Sequence, residues 1–245
     1  MTDIAKPPSI SLIIPAFNEE LRIGKSLEQI FRFCNAQDLS FEIIVVDDGS
    51  SDGTVPLVQQ RFGHHPELKI QQAGRCGKGA AVQRGMLQAS GDYLFFSDAD
   101  LSVPIETLLP FLVELQHRCD IAIGSRRAPG AKVEVHQPYL RAAMGRMFTA
   151  LSNILLGSDY FDVTCGFKGF KRDVARDLFS RQRLHNWSFD SELLFMAGLR
   201  GYRVAEIPVT WRNEQGTKVR VWKDAAISFL GLVQIRLNQI AGKYR

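Results

Sequence analysis

From residue 9 to residue 126 the chain alternates between short, continuously apolar runs and longer stretches whose apolar residues recur every three or four positions. The short runs read as strands: SISLIIP (9–15), FEIIVVDDGS (41–50), LKIQQ (68–72), GDYLFFSDAD (91–100) and CDIAIGSR (119–126). Helical patterns lie between them. Residues 18–34 place Leu21, Leu27, Ile30 and Phe31 at helical spacing behind Asn18, a capping residue type. Residues 51–62 begin another helix, where Pro56 is tolerable only in the first turn. Residues 77–90 and 104–117 give two more.

Strands that are apolar on both faces and separated by helices belong in a mainly parallel sheet covered on each side. The predicted class is α/β. In such sheets ligands sit beyond the carboxyl ends of the strands. Polar clusters fall there repeatedly, at 15–19, 47–50, 98–100 and 124–127, which predicts a site along that rim. After residue 130 the pattern loosens. A basic loop (129–138) leads to a helix over 139–156. Then come DVTCGFKGFKR (162–172), a helix over 186–201, a strand over 202–211, a loop over 212–220 and an amphipathic helix from 223. No linker marks a second domain. The chain reads as one domain over 1–245, with halves 10–130 and 131–222 and a terminal helix 223–245.

Composition is ordinary for a globular chain, 45% hydrophobic and 23% charged. Cys34, Cys76, Cys119 and Cys165 lie far apart with no C-x-x-C, which argues against a zinc site or a disulfide framework and for a reducing cytoplasm. The first residues lack the apolar core of a signal peptide. No apolar run reaches the roughly 18 residues a membrane span needs, so any membrane role is peripheral, at the cytoplasmic face. Residues 200–245 hold nine Lys/Arg against three Asp/Glu, which suits either an anionic partner or a solvated surface. The terminal helix carries an apolar stripe (Ile227, Leu230, Leu237, Ile240) flanked by Lys223, Arg236, Lys243 and Arg245. It reads equally as an interfacial membrane helix or as a helix docked on the sheet. Nucleic acid is not an expected partner, because interleaved aromatics and a helix-turn-helix pattern are missing.

Asp98 and Asp100, two apart at a strand end, would share one face of an extended segment. Mg²⁺ or Mn²⁺ is held by one or two such carboxylates plus substrate phosphate oxygens. The other reading is a turn or helix-capping pair. Asp47 and Asp48 also end a buried strand, where a carboxylate needs donors. A nucleotide base or ribose would supply them. GRCGKGAAV (74–82) is not a P-loop, since Gly79 follows Lys78, but a glycine-opened helix beside a lysine can attract diphosphate. No G-x-G-x-x-G follows the first strand, so a Rossmann dinucleotide site is poorly supported.

IIPAFNEE, IIVVDDGSSDGT, GKGAAVQRGM, SDADLS and IAIGSR occur in the order and approximate spacing of glycosyltransferase family 2, the inverting enzymes of the GT-A (nucleotide-diphospho-sugar transferase) fold. DVTCGFKGFKR, WSFDSELLFMA and EIPVTWRNEQGTKV look like the subgroup that glycosylates polyprenyl phosphates, the dolichyl-phosphate β-glucosyltransferases and the sister mannose synthases. The resemblance runs from Ile10 to the final helix. It implies that Pro15, Phe17, Glu19, Val46 and Asp48 line the nucleotide pocket, with Lys78 nearby, and that Asp98 and Asp100 bind Mg²⁺ or Mn²⁺ on the donor diphosphate. Arg126, with Arg141 and Arg146, would receive the lipid phosphate, and Arg212 and Lys218 would close over the diphosphate. Ser102 stands where the mannose synthases carry glutamine. Asp190 stands where relatives place a base. A phosphate acceptor needs none, being mostly dianionic at neutral pH, so Asp190 is expected to orient groups while Asp100 and Arg126 act at the reacting centre. The implied reaction moves a hexose, with inversion, from a nucleotide sugar to polyprenyl phosphate. UDP-glucose is the favoured donor and GDP-mannose the alternative. Transfer to a saccharide and nucleotidyl transfer are the competing enzyme classes. The second would want a glycine- and arginine-rich loop where AFNEE stands.

Overall fold

The computed structural model describes residues 8–212 and 221–245. Nine strands and eight helices are assigned within them. The strands are β1 (Ser9–Ala16), β2 (Ser40–Asp47), β3 (Leu68–Gln72), β4 (Tyr93–Ser97), β5 (Ile121–Ser125), β6 (Lys132–Val135), β7 (Phe167–Lys171), β8 (Val204–Pro208) and β9 (Thr210–Arg212). The helices are α1 (Ile23–Ala36), α2 (Thr54–Phe62), α3 (Lys78–Gln88), α4 (Leu108–His117), α5 (Tyr139–Leu156), α6 (Arg172–Arg181), α7 (Phe189–Leu199) and α8 (Val221–Ile240).

Seven strands form one sheet in the order β3-β2-β1-β4-β7-β5-β8. Every pair in it is parallel except those of β7, which runs antiparallel to β4 and β5. The expected mainly parallel α/β sheet is therefore observed. Its strands read as unbroken apolar runs because both faces are covered. Along β1, Leu12 and Ile14 join one core with Ile23, Leu27 and Phe111, while Ile13 joins the other with Val82, Phe189 and Leu193. Phe111 meets Phe167 edge-on at 5.0 Å on the first face, and Phe96 packs between Phe170 and Phe189 on the second.

Four local features depart from the pattern. The first helix begins at Ile23, and Asn18 does not cap it. Asn18 sits in the left-handed region (φ 53°) and its Oδ1 accepts the Ser51 N–H at 2.7 Å, tying the β1 and β2 ends together. The segment 162–172 supplies β7, whose central Lys168 and flanking glycines obscured a strand. The segment read as one strand over 202–211 is two: β8 ends at Pro208, which lacks a ladder donor. β9 then leaves the main sheet to pair with β6, inside the stretch read as a loop. Helix α6 follows β7 directly. The four cysteines are free, and Cys34, Cys119 and Cys165 are buried.

Glu42 fastens four segments at the amino ends of the strands. Its Oε1 accepts the Ser11 hydroxyl (2.6 Å), the Ser90 N–H (2.6 Å) and the Ser90 hydroxyl (2.8 Å), and its Oε2 accepts Lys69 Nζ (2.6 Å). Burial would raise its pKa, but the bonds from Lys69, Ser11 and Ser90 outweigh burial and hold it down to about 2. A carboxyl held low contributes stability above its unfolded pKa and loses it as pH falls through the folded value. Glu42→Gln is expected to cost about 1–3 kcal/mol at pH 7. In urea unfolding, that gap should close as the pH is lowered from about 4.5 toward 2. A gap that stays constant over this range would contradict the assignment.

Candidate active site

The end of β4 delivers two acids to the sheet's rim. The expectation of an extended segment is not met: residues 99 and 100 form a turn, and Leu101 takes φ 49°. The turn still leaves the carboxylates in mutual range. Burial first, and then the Asp98 charge, push the Asp100 carboxyl above its ordinary value. Ser102 donates its N–H (3.0 Å) and hydroxyl (2.8 Å) to Asp100 Oδ1, and Arg22 Nη1 lies 3.9 Å from Oδ2. Asp98 Oδ1 accepts Lys78 Nζ at 2.6 Å, and the lysine is the first residue of α3. Asp98 Oδ2 lies over Gly166, which directly precedes β7. A Cβ built on that glycine would fall 1.9 Å from the oxygen. The register puts them together, because Ser97 of β4 pairs with Phe167 of β7.

Behind the acids lies an alternating string of charge. Lys168, fully buried on β7, donates to Asp190 Oδ1 (2.6 Å) and to the Cys165 carbonyl (2.7 Å). Asp190 stands in the first turn of α7. Burial raises its pKa against the pull of Lys168 and Lys78. Burial likewise works against the Lys78 ammonium, but Asp98 and Asp190 together prevail and hold its pKa up. Asp98, Lys78, Asp190 and Lys168 thus stabilise one another where single buried charges would be costly.

On the other flank, Arg126 was expected to receive phosphate. Part of its fork is already engaged: Nε and Nη2 donate to the fully buried Asp162, at 2.6 and 2.8 Å, and Nη2 also reaches the Thr164 hydroxyl. Burial works against the guanidinium, but Asp162 outweighs it and raises the Arg126 pKa. The same pair drives the Asp162 carboxyl well below the carboxylate range despite burial. Only the Nη1 edge lies outside these bonds. Arg141, on α5, makes no ion pair among the described residues. Burial and the adjacent Arg126 lower its pKa, opposed by Asp100 and Asp98. Arg146 does not join it. Five residues along an α-helix is a rotation of about 140°, and Arg146 is exposed, 5.8 Å over the Tyr139 ring. Arg127 fills the gap instead, donating to the Thr149 hydroxyl (2.9 Å).

The residues expected around a nucleotide are mixed. Pro15 and Phe17 stand half-buried at the end of β1, and the Arg75 guanidinium lies 3.7 Å from the Phe17 ring centroid. Glu19 holds Arg22 (2.8 Å), and its N–H donates to the Thr54 hydroxyl. Val46 is not a pocket wall. Strand alternation turns its side chain into the core, where a Cβ on Gly85 of α3 would lie 3.1 Å from it. Asp47 and Asp48 find their donors in the chain itself. Asp47 accepts the Gly49 and Ser50 N–H groups, and Asp48 Oδ1 accepts those of Cys76 (2.6 Å) and Gly77 (2.9 Å). The start of α3 is roofed by the 182–187 segment. The Gly79 N–H donates to the His185 carbonyl, and a Cβ on Gly77 would fall 2.7 Å from that oxygen. Those glycines admit the roof, and Lys78 rather than the helix amides faces the acids. Arg212 pairs with Glu134 across the β6–β9 ribbon, and its N–H donates to the Ser102 carbonyl (2.9 Å), at the edge of the acid turn. Lys218 lies outside the described residues.

Lys168, Asp162, Gly166, Arg22 and Arg127 were not singled out from the sequence. A lysine inside the apolar FKGF run was the one available signal. The chemistry of the donor set suits a hard divalent cation. Two carboxylates stand at the rim, and burial first and then the Asp98 charge raise the Asp100 pKa, an environment in which a doubly charged ion favours the ionised form. Among the described residues no third His, Cys, Asp or Glu joins them.

Residues 11–179 match Glycosyl transferase family 2. A dolichyl-phosphate beta-glucosyltransferase of Trichomonas vaginalis is 33% identical over 86% of this chain and 68% of its own. The dolichyl-phosphate beta-glucosyltransferase of Homo sapiens is 30% identical over 96% and 77%. Among solved structures, glucosyl-3-phosphoglycerate synthase from Mycobacterium tuberculosis, in complex with Mn²⁺, UDP and glucosyl-3-phosphoglycerate, superposes with a TM-score of 0.70. It is 20% identical over 93% of this chain and 80% of that one.

The Gly166 contact separates stability from function. The atom in the way is the tip of a movable side chain, so Gly166→Ala is expected to displace the Asp98 carboxylate without disturbing the core. Misplacing a reacting group by about 1 Å can cost about 10²-fold. The variant should lose about that factor in kcat/KM while its Tm stays within about 3 °C of the parent, a shift worth about 1 kcal/mol at this chain length. Full activity, or loss of activity only in step with unfolding, would count against the placement of Asp98.

Proposed function

The chain belongs to glycosyl transferase family 2, and we propose that it transfers glucose from UDP-glucose to the phosphate of a dolichyl-type polyprenyl lipid, inverting the configuration at C1. The observation that carries the reading is the arrangement around Asp98 and Asp100. Lys78 and Arg22 lie against the acids, and Arg141 stands half-buried in their field with no ion pair among the described residues. A desolvated guanidinium without a carboxylate suits an anionic ligand. The named activity of relatives about 30% identical over most of the chain supports dolichyl phosphate as acceptor and glucose as the sugar.

The donor lies with its base beyond β1, at Phe17 and Arg75, and its diphosphate near Asp98 and Asp100. What a bound Mg²⁺ or Mn²⁺ supplies there is positive charge for the diphosphate as it departs. Arg212, whose backbone N–H bonds the Ser102 carbonyl at the edge of the acid turn, adds cationic charge on the same side. The lipid phosphate is received by Arg141 and the Nη1 edge of Arg126, with Arg127 behind them. A phosphate oxygen attacks C1 from the face opposite UDP, the C1–O bond to UDP breaks, and the electron pair leaves with the nucleotide. The nucleophile is already an anion, so no proton need be removed. Asp190 anchors Lys168 and steadies Lys78, and it holds those cations in place instead of acting as a base.

We further propose that the α5 and α8 flank rests on a membrane surface. Both readings of the terminal helix have support. Leu232 and Ile235 dock inward, while Leu230, Leu237 and Ile240 of α8 stay exposed, as do Tyr139, Leu140 and Ile154 of α5, the helix it packs against. Arg236 is not a lipid-facing cation, because its Nε donates to the Leu155 carbonyl. Among the described residues no helix is long and apolar enough to cross a membrane.

The decisive assay measures nucleotide release from UDP-glucose, GDP-mannose and UDP-N-acetylglucosamine, each with and without dolichyl or undecaprenyl phosphate. UDP release should require UDP-glucose, a lipid phosphate and a divalent cation. Asp100→Asn should lower kcat more than Asp190→Asn. Release that ignores the lipid phosphate would refute the acceptor, and equal near-total losses in both variants would refute the role given to Asp190.

For the membrane surface, Leu230→Asp together with Ile240→Asp should abolish co-sedimentation with anionic liposomes and leave UDP affinity unchanged. These positions are exposed, so the change tests contact and not folding. Undiminished co-sedimentation would rule this face out.

A further inference from the structure

The segment 182–188 is held more firmly than a surface loop requires. Glu192, buried on α7, accepts the N–H groups of Arg183 (3.1 Å) and Leu184 (2.8 Å) and the Tyr244 hydroxyl (2.7 Å). Gln182 Nε2 donates to the carbonyls of Gly79 (2.9 Å) and Leu184 (2.8 Å), and the His185 carbonyl accepts the Gly79 N–H (2.9 Å). At the far end, the Ser188 N–H donates to Asn186 Oδ1 and its hydroxyl to the Ser228 carbonyl. A Cβ on Gly231 of α8 would fall 2.2 Å from Ser188 Oγ, so α8 presses directly on the end of the segment.

This anchoring fixes one side chain that the reaction described above does not use. Trp187 is 39% exposed, on a segment whose neighbours are bonded inward. Its ring lies 5.1 Å from Lys78 Nζ, the same ammonium that bonds Asp98 at 2.6 Å. A large aromatic ring is thus held at the site's mouth, one side chain away from the acids assigned to the diphosphate. It lies on the Lys78 and Asp190 side of those acids. Arg141, assigned above to the acceptor, is on α5, whereas Trp187 stands just before α7 beside Lys78.

We propose that Trp187 is the platform for the donor's hexopyranose ring, and so a specificity-determining residue of the transfer. The inference rests on the UDP-glucose reading above. A pyranose carries its hydroxyls around the rim and presents C–H groups on its faces. Such a face gains by covering an exposed aromatic ring, while the hydroxyls stay free to meet charged neighbours. The diphosphate carries uridine at one end, whose base is placed at Phe17 and Arg75, and the hexose at the other, and Trp187 is an aromatic surface next to the acids assigned to the diphosphate. The bonds made by Glu192, Gln182 and Ser188 hold the segment that carries the ring before the donor arrives, so little ordering cost is added on binding.

Calorimetric titration with UDP and with UDP-glucose, in the presence of Mn²⁺, tests this without the acceptor. Trp187→Leu should weaken UDP-glucose binding about tenfold, the size of one aromatic contact, and leave UDP binding within about twofold. Trp187→Phe should restore most of the UDP-glucose affinity, which a merely structural role for the loop would not predict. In turnover, the loss should appear as a raised KM for UDP-glucose at constant KM for dolichyl phosphate. Unchanged UDP-glucose affinity in Trp187→Leu overturns the platform, as does a parallel loss for UDP. A KM rise confined to dolichyl phosphate also overturns it, placing the ring against the isoprenoid instead. Wild-type protein that binds neither UDP nor UDP-glucose overturns the substrate reading itself. Wild-type transfer with an indistinguishable Trp187→Leu variant overturns the platform alone.

Discussion

A carboxylate at the end of a buried strand must be neutralised, and most of the site follows from how this chain does so. Asp47 and Asp48 are satisfied by backbone N–H groups of the loops they border. Asp162 is satisfied by Arg126, and Asp190 by Lys168. Asp98 and Asp100 differ. They sit close enough for one to hinder the other's ionisation, and the cations near them, Lys78 and Arg22, reach the pair from the sides. Buried acids with closed partner sets hold the structure. Asp98 and Asp100 share their cations with other acids, Lys78 with Asp190 and Arg22 with Glu19, and are the ones that gain from a cationic ligand.

The antiparallel strand β7 makes that arrangement possible. In a wholly parallel sheet the strand beside β4 would bring its own carboxyl end to the rim. Because β7 runs the other way, its amino end arrives there, with Cys165 and Gly166 just before it. Gly166 gives Asp98 the room it occupies. Two residues into the strand, Lys168 turns inward to hold Asp190. One strand therefore provides space for one acid and a partner for the other. Its interior contributes Phe167 and Phe170 to the two opposite cores.

The first half of the fold was legible because its strands are covered on both faces and its helices carry one apolar stripe. Those patterns are local. The rim could be found for the same reason, since polar residues collect where apolar runs stop. What could not be read depended on partners distant in sequence. Lys168 is ordinary until Asp190, 22 residues on, is placed against it. Arg126 looked available because Asp162 is 36 residues away. Arg141 and Arg146 looked like a pair because sequence spacing hides a rotation that only a helix imposes. Val46 looked like a pocket residue until the sheet's alternation assigned it to the α3 side. The β6–β9 ribbon was invisible because neither strand is long enough to carry a period, and each exists only through the other.

The contrast between two arginines gives the strongest argument about the acceptor. Removing a guanidinium from water is costly, and proteins normally offset that cost with a carboxylate. Arg126 follows the rule: it is buried, and Asp162 grips one edge of its fork. Arg141 departs from it, having lost part of its hydration beside a second guanidinium. The acids in its field are the two assigned to the donor, so the protein alone gives it no dedicated partner among the described residues. Such a placement lowers the stability of the empty site and raises its affinity for an anion, since a bound phosphate offsets the desolvation already suffered. A saccharide hydroxyl carries no charge to collect that difference and would need a base as well. The acid nearest that role, Asp190, is buried and bonded to Lys168. The proposed acceptor, a phosphate that arrives already ionised, suits this arrangement better than a neutral nucleophile would.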